Sequence, residues 1–333
     1  MRGLRIAGAL LALGLLALVI DRIGPAAIAA QLLTTGPGFL WILVLHGFAI
    51  AISGLPWHVL LPRAARPRVG QSIVSRFVAA GANAVTPVVA LAGDLVRLFW
   101  LPHRADRPHG VAAIVVDRLT YGAANAVFVI AGALALVHIT GLPPRVMHMT
   151  VIGIVVLVGL VIAGVLLAGR FRIVGRVHHL VSRLRRKERD HQFGDDVDAS
   201  MRHMLRRQPG ALALAFGLNL VFRIAISAEI VVAFHLLGVD LAWDQALVFS
   251  ALPIVVAIAG FLVPSQLGVQ EGVQALLAAS FGVPEPVAVA VVLLLRIRSL
   301  IGGAFVAVLI ATKKSTLEEV KAVASGELPI VTG

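Results

Sequence analysis

Residues 261–273 read Phe261-Leu-Val-Pro264-Ser265-Gln266-Leu-Gly268-Val-Gln270-Glu271-Gly272-Val273. A proline, two glycines, two amides and a carboxylate interrupt the otherwise apolar stretch 245–282. The flanks 246–261 and 273–281 read as bilayer-embedded helix. Non-helical backbone survives in hydrocarbon only inside protein or beside water, because free N–H and C=O groups find no other partner there. An ionisable residue at that depth is by default a functional-site candidate. Glu271 is the first such candidate, and the break around it decides how the rest of the chain is read.

Working outward, the composition agrees with a membrane setting. The chain has 333 residues, 59% hydrophobic and only 14% charged. A soluble protein of this length needs more polar surface, so the class is a polytopic membrane protein. Cysteine is absent, which excludes disulfides, thiolate metal sites and a cysteine nucleophile. The net charge is +12. The basic residues cluster in loops, as a topology signal and an attraction for anionic lipid rather than a nucleic-acid surface. Arg2 and Arg5 precede an apolar run to Ile20. Asp21, Arg22 and Pro25 separate that run from the small residues Ala27-Ile-Ala29, so a retained first span is expected rather than a cleaved leader.

Apolar runs long enough to cross about 30 Å of hydrocarbon occur at 4–20, 39–61, 111–139, 148–169, 211–237 and 286–311. Two more, 71–101 and 245–282, are broken in the middle. The positive-inside rule then orders the loops. Basic segments at 62–68 and 102–108 place both flanks of 71–101 in the cytoplasm. The loop from Arg170 to Arg207 holds 11 Lys or Arg against 5 Asp or Glu and is cytoplasmic too. Acidic segments at 238–244 and 282–286 flank the second broken stretch on the outside. Each broken stretch should therefore enter and turn back; loop charges alone do not distinguish re-entry from two short crossings, and arms too short to cross about 30 Å of hydrocarbon favour re-entry.

The expected fold is an all-α polytopic membrane protein, one membrane domain over 1–333. About six transmembrane helices and two re-entrant helical hairpins form an inverted repeat. Residues 1–38 are the first span and outer loop. Repeat 1 covers 39–139, with its hairpin at 71–101. A connecting span and basic cytoplasmic loop fill 140–210. Repeat 2 covers 211–311, with its hairpin at 245–282, and 312–333 form a cytoplasmic tail. Inverted repeats of this layout build substrate sites from broken helices where the halves meet. Thr86, Pro87 and Gly93 break the first hairpin. Pro264, Ser265, Gln266, Gly268 and Gly272 break the second. In each, a carboxylate, Asp94 or Glu271, follows near the start of the next arm, where the helix dipole favours it.

At Gly93-Asp94-Leu-Val-Arg97, Val115-Val-Asp117-Arg118 and Pro264-Ser-Gln-Leu-Gly268-Val-Gln-Glu271, the chain resembles the lysylphosphatidylglycerol synthase transmembrane-region family of flippase-like membrane proteins. The resemblance runs over nearly the whole length. It implies a region that moves a lipid between leaflets, fused in the aminoacyl-lipid synthases to a soluble transferase domain. This sequence runs to Gly333 without such a domain, so lipid aminoacylation is not expected. Gln270 stands where the family usually has arginine, and Gln266-Leu267-Gly268 where it has Gly-Leu-Gly. The Gln-Glu-Gly form resembles the branch associated with hopanoid biosynthesis.

The charged residues of the apolar segments are the site candidates. Asp94 and Arg97 lie three apart on one helix face and can pair. Asp117 and Arg118 point about 100° apart and need separate partners, with Arg118 able to snorkel to inner headgroups. Glu271 has Arg223, Arg296 or Arg298 as prospective partners. Arg223 and Glu229 are six apart and do not share a face. An arginine at that depth costs about 3 kcal/mol on insertion scales, so Arg223, Arg296 and Arg298 imply a polar, partly hydrated interior. The eleven histidines show no metal spacing, and His178, His179 and His191 read as solvated. No metal site and no cofactor are expected. Gly81, Gly93, Gly122 and Gly132 read as close-packing residues, and 170–208 can hold a basic amphipathic helix on the inner leaflet.

The leading functional expectation is a non-enzymatic lipid transporter or flippase of the bacterial cytoplasmic (inner) membrane, with both termini cytoplasmic. Its partners are lipids with anionic, polyprenyl or hopanoid character, together with proteins of a biosynthetic complex. A proton carried by Asp94, Asp117 or Glu271 can supply coupling. The alternatives are an intramembrane enzyme acting on a lipid headgroup and a scaffold for lipid biosynthesis. The topology has a direct check: Ala105→Cys is expected to react with an impermeant thiol reagent only from the cytoplasmic side, and labelling only from outside overturns the inverted-repeat reading.

Overall fold

The computed structural model describes residues 26, 33–85, 92–103, 106–138, 148, 152, 155–156, 158–159, 163, 191–259, 274, 277–284, 287–288, 290–295, 297–299 and 301–302. The described residues form helices and turns. In chain order they give α1 (Phe39–Ser53), α2 (Leu55–Leu60), α3 (Val69–Val85), α4 (Ala92–Leu95), α5 (Arg107–His138), α6 (His191–Arg207), α7 (Pro209–His235) and α8 (Trp243–Ala259). Short 3-10 segments lie at Gly36–Gly38, Arg63–Ala65 and Val96–Trp100.

Among the described residues, three helical runs are long and apolar enough to cross a membrane: Leu33–Leu60, Arg107–Leu136 and Pro209–His235. They correspond to the expected spans 39–61, 111–139 and 211–237. All three start earlier than the apolar pattern, two of them with proline in the first helical turn, where its missing N–H costs nothing. Pro108 and Pro209 occupy those starts. The first expected span, most of 148–169, the cytoplasmic tail and the turn of the second hairpin lie outside the described residues. So do Thr86, Pro87, Pro264, Ser265, Gln266, Gly268, Glu271, Gly272 and Arg296.

Contacts between the long helices give their relative directions. Thr120 and Asn125 on α5 meet Asn219 and Arg223 on α7 in the same order, so the two run parallel. On α1, His46 meets Glu229 while Ala49 and Ile52 pack with Phe222 and Ala225, so α1 runs antiparallel to α7. These are the relative directions that the loop charges assign to the three spans.

The interior has two main apolar clusters. One joins Phe39 and Ile42 of α1, Phe234 of α7, Phe249 and Leu252 of α8, and Leu277 and Leu294. Phe234, Phe249 and Phe281 stack edgewise at 5.0 and 5.5 Å between centroids, within the attractive range for aromatic rings. The other joins Trp57, Leu60, Leu98, Ala112, Val116, Val197, Met201 and Met204. The last three belong to α6, so this amphipathic helix spends its apolar face on α5 and α7. Asp195, Asp196 and Asp198 fall in its N-terminal half and Arg206 and Arg207 in its last turn. Outward faces carry Leu40, Trp41, Val44 and Phe48 on α1, and Leu214, Val221 and Ile224 on α7. Exposed apolar side chains in such rows suit lipid contact.

In the first broken stretch, α3 packs back against α4 and the 3-10 segment that follows it. The two described arms of this stretch thus lie side by side. The first arm of each broken stretch also packs on the span before it, α3 on α1 and α8 on α7. Small residues allow the close approaches. A Cβ on Gly132 of α5 would lie 2.6 Å from the Ala251 Cβ and 3.3 Å from the Leu247 carbonyl of α8. Gly132→Ala is expected to lower stability by about 1–3 kcal/mol through overpacking, read as thermal unfolding in detergent. Gly217→Ala, where nothing lies within 4 Å of the added carbon, is expected to show no such loss.

Candidate functional site

The α1–α2 junction, α3, the 3-10 segment after α4, and α5 bring five charged groups together. Asp94 lies in the short helix α4 and is 0% exposed. Its Oδ1 accepts from Arg76 Nη1 of α3 at 3.1 Å, and its Oδ2 accepts from Arg118 of α5, with Nε at 2.7 Å and Nη2 also bonded. Arg97, one turn further on and 1% exposed, donates through Nη1 to Asp117 Oδ2 and through Nη2 to the Gly54 carbonyl, each at 3.2 Å. Its guanidinium lies 4.7 Å from the centre of the Trp57 ring, a cation–π distance. Arg97 Nε is buried without a hydrogen-bond partner among the described residues.

This geometry corrects one expectation. Asp94 and Arg97 share a helix face, yet their ion pairs run to Arg76, Arg118 and Asp117. The local segment is tight 3-10 from Val96, so tertiary partners reach these groups better than the neighbouring turn does. Asp117 and Arg118 do take separate partners, one toward Arg97 and one toward Asp94. Gly93, just before Asp94, has helical backbone.

From this cluster a polar seam follows α5 and α7. Thr120 Oγ1 donates to the Asp117 carbonyl and accepts from Asn219 Nδ2. One turn on, Arg223 donates from Nε to Asn125 Oδ1 and from Nη2 to the Tyr121 hydroxyl, both at 2.6 Å. The Tyr121 ring sits beneath both Arg118 and Arg223, at 5.8 and 5.0 Å. Ser227 donates to Ser250 of α8 at 2.8 Å. Asn219, Arg223 and Ser227 recur every four residues, which places them on one stripe of α7.

A separate group lies on the α7 face that meets α1. Glu229 there is 0% exposed. Arg298 Nη1 donates to its Oε1, and His46 Nδ1 lies 3.4 Å from its Oε2. Along α7, Asn219 and Ser227 are eight residues apart, so the α7 part of the seam spans about 12 Å.

The structure thus brings Asp94, Arg97, Asp117 and Arg118 into one cluster, joins Arg223 to it through Tyr121, and places Arg298 in a separate group with Glu229 and His46. Among the described residues Arg298 pairs with Glu229; the expected partner Glu271 lies outside them. Sequence reading missed Arg76, Trp57, Tyr121, Asn125 and His46. Arg76 had a signal, since Ser72, Ser75 and Arg76 make a polar stripe in α3. His46 was likewise a lone polar residue in an apolar span. The others resemble ordinary interior residues and are found only through their contacts.

Counting formal charges, the first cluster holds Arg76, Arg97 and Arg118 against Asp94 and Asp117, an excess of one positive charge. Arg223 adds a second, since its described partners are neutral. Glu229 and Arg298 cancel. A buried interior rich in guanidinium is an anion-favouring environment, because arginine matches phosphate and carboxylate in a bidentate geometry.

Long apolar helices around this charged seam define an integral membrane protein with a polar interior. Within that class, the chain belongs to the lysylphosphatidylglycerol synthase TM region family, whose model matches residues 5–307. The match confirms the family that the three motifs suggested and points to a membrane-lipid-related function. No curated protein and no solved structure matches the chain.

Asp94→Asn is expected to destabilise the protein by about 3 kcal/mol, because it leaves two guanidinium groups without their carboxylate. Combining it with Arg118→Gln is expected to cost less than the sum of the single losses. Thermal unfolding of the four proteins in detergent closes this cycle.

Proposed function

We infer that this protein moves a phosphate-bearing lipid headgroup across the bilayer along the polar seam, while the acyl chains stay in lipid. The observation that carries the reading is the buried surplus of guanidinium: Arg97 with an unpartnered Nε, and Arg223 held only by neutral groups among the described residues. A permanent positive surplus in a low-dielectric interior is costly, and a transient anionic ligand offsets it. The family supports a lipid as that ligand.

In this reading the two broken stretches are re-entrant hairpins of an inverted repeat, and the seam lies between them. Asp94 and Arg97 come from the first hairpin and Glu271 from the second. The membrane is the bacterial cytoplasmic membrane, with both termini inside. Asp94 holds Arg76 and Arg118 in place, Arg97 and Arg223 meet the headgroup, and Tyr121 stacks between neighbouring guanidinium groups. Binding of this kind needs no bond to break in the lipid.

Purified protein in vesicles is expected to transfer a labelled phosphatidylglycerol between leaflets and return it chemically unchanged. Arg223→Gln is expected to slow transfer by about tenfold to a hundredfold, the loss of one charge-assisted hydrogen bond of about 2 kcal/mol. Transfer at the wild-type rate by Arg223→Gln and Arg97→Gln together overturns the site. A chemically altered lipid supports an intramembrane enzyme instead.

A further inference from the structure

His46, Glu229 and Arg298 form a second ionisable group of residues, on the α7 face that meets α1. His46 lies near the middle of the span Leu33–Leu60 and is 21% exposed, whereas Glu229 is fully buried. The carboxylate sits between the two: its Oε1 takes Arg298 Nη1, and its Oε2 faces His46 Nδ1 at 3.4 Å. Arg298 Nε is buried with no hydrogen-bond partner among the described residues.

Other charged and titratable groups on the elements packed against α1 are engaged elsewhere. Arg223 on α7 is held by Asn125 and Tyr121, and His235 at its end by Asp240. Arg76 on α3 is held by Ser53 and Asp94. His58 on α2 bonds to Ser72. Among the described residues, Glu229 is the charged group paired with the His46 ring, with Arg298 on the other oxygen of the same carboxylate.

Charge counting then gives the group a property that neither partner has alone. With a neutral imidazole, Glu229 and Arg298 cancel. With a protonated imidazole, the buried group carries one net positive charge. That charge is unfavourable at membrane depth unless an anion joins it. Protonation also gives Glu229 a second cationic partner, so the hold of Glu229 on Arg298 weakens and the guanidinium becomes available. Proton and anion therefore favour each other's binding, and by linkage the effect is reciprocal. Histidine is suited to the role because its proton exchanges near pH 6.5 in unperturbed settings.

We propose that His46, Glu229 and Arg298 are a proton site that couples protonation to the binding of an anionic lipid headgroup at Arg298. The step binds one proton at a ring nitrogen and releases it again, with no other bond made or broken. The coupling rests on the lipid-transfer reading above, whereas the proton site stands on the geometry of the triad.

The test uses the full chain in phosphatidylcholine vesicles with fluorescent phosphatidylglycerol as probe, with equal pH on both sides, between about pH 5.5 and 8. Wild-type transfer is expected to rise by about fivefold or more toward acid, the size of a typical coupling. His46→Gln is expected to flatten the profile. His235→Gln, at an exposed histidine bonded to Asp240, is expected to keep it. A wild-type profile in His46→Gln overturns the proposal.

A second measurement does not depend on transfer. Nitrogen-15 titration of the histidines in nanodiscs identifies His46 by the resonance missing from His46→Gln. Its midpoint is expected to rise when phosphatidylglycerol replaces phosphatidylcholine, by more than that of exposed His235. Equal shifts at the two histidines overturn the coupling. Absence of any lipid transfer at every pH defeats the transport reading, and the titration then decides the proton site alone.

Discussion

The Asp94 carboxylate, fully buried between Arg76 and Arg118, is the interaction on which the rest of this structure depends. It ties α3, α4 and α5 together at the point where the first apolar stretch breaks. Three segments that have little else to hold them in hydrocarbon are joined through one ion cluster. Between lipid-facing helices the hydrophobic effect offers little driving force, because lipid tails are as apolar as leucine. Polar contacts and close packing must do that work, and a buried carboxylate with two guanidinium partners is a directional way to do it. Its position also explains why Arg97 turns toward Asp117 and Trp57: the nearest carboxylate is already occupied.

From that anchor the interior is organised as charge surrounded by packing. The cluster at Trp57, Met201 and Met204 closes one end, and the cluster at Phe234 and Phe249 closes the other. Between them, the faces of α5 and α7 carry threonine, tyrosine, asparagine, serine and charge at helical spacing. Because the two helices run parallel, these residues meet in register. The seam can therefore keep its polar groups bonded without opening either helix, which the lack of water in a bilayer demands. α6 adds a further constraint by covering α5 and α7 with its own apolar face, which binds a connecting segment to the spans it connects.

The arrangement makes function a matter of surplus. Among the described residues, Asp94, Asp117 and Glu229 are engaged by arginine, and guanidinium is left over. A protein that only needed structural ion pairs would balance the two. Among those residues Arg97 keeps an unpartnered Nε, Arg298 another, and Arg223 relies on neutral oxygens. Lipid phosphate is the anion that a membrane supplies in quantity, and the family of the chain handles membrane lipid. Glu229 belongs to a separate group with His46 and Arg298, on which the proton-site proposal rests.

Much was legible in the sequence because it depends on composition along the chain. Apolar length located the three described spans, and three short motifs named the family. The charged residues Asp94, Arg97, Asp117, Arg118, Arg223 and Arg298 stood out because charge in an apolar run is rare whatever its partner. Pairing was not legible. Arg118 is 24 residues from Asp94, Arg223 is 98 from Asn125, and Glu229 is 183 from His46. Periodicity sees neighbours within a helix, whereas these contacts follow from which helices lie side by side. The sequence by itself determined that charge would be buried in a membrane. Only the tertiary structure decided which charges cancel, because cancellation depends on a few ångströms between segments that the chain keeps far apart.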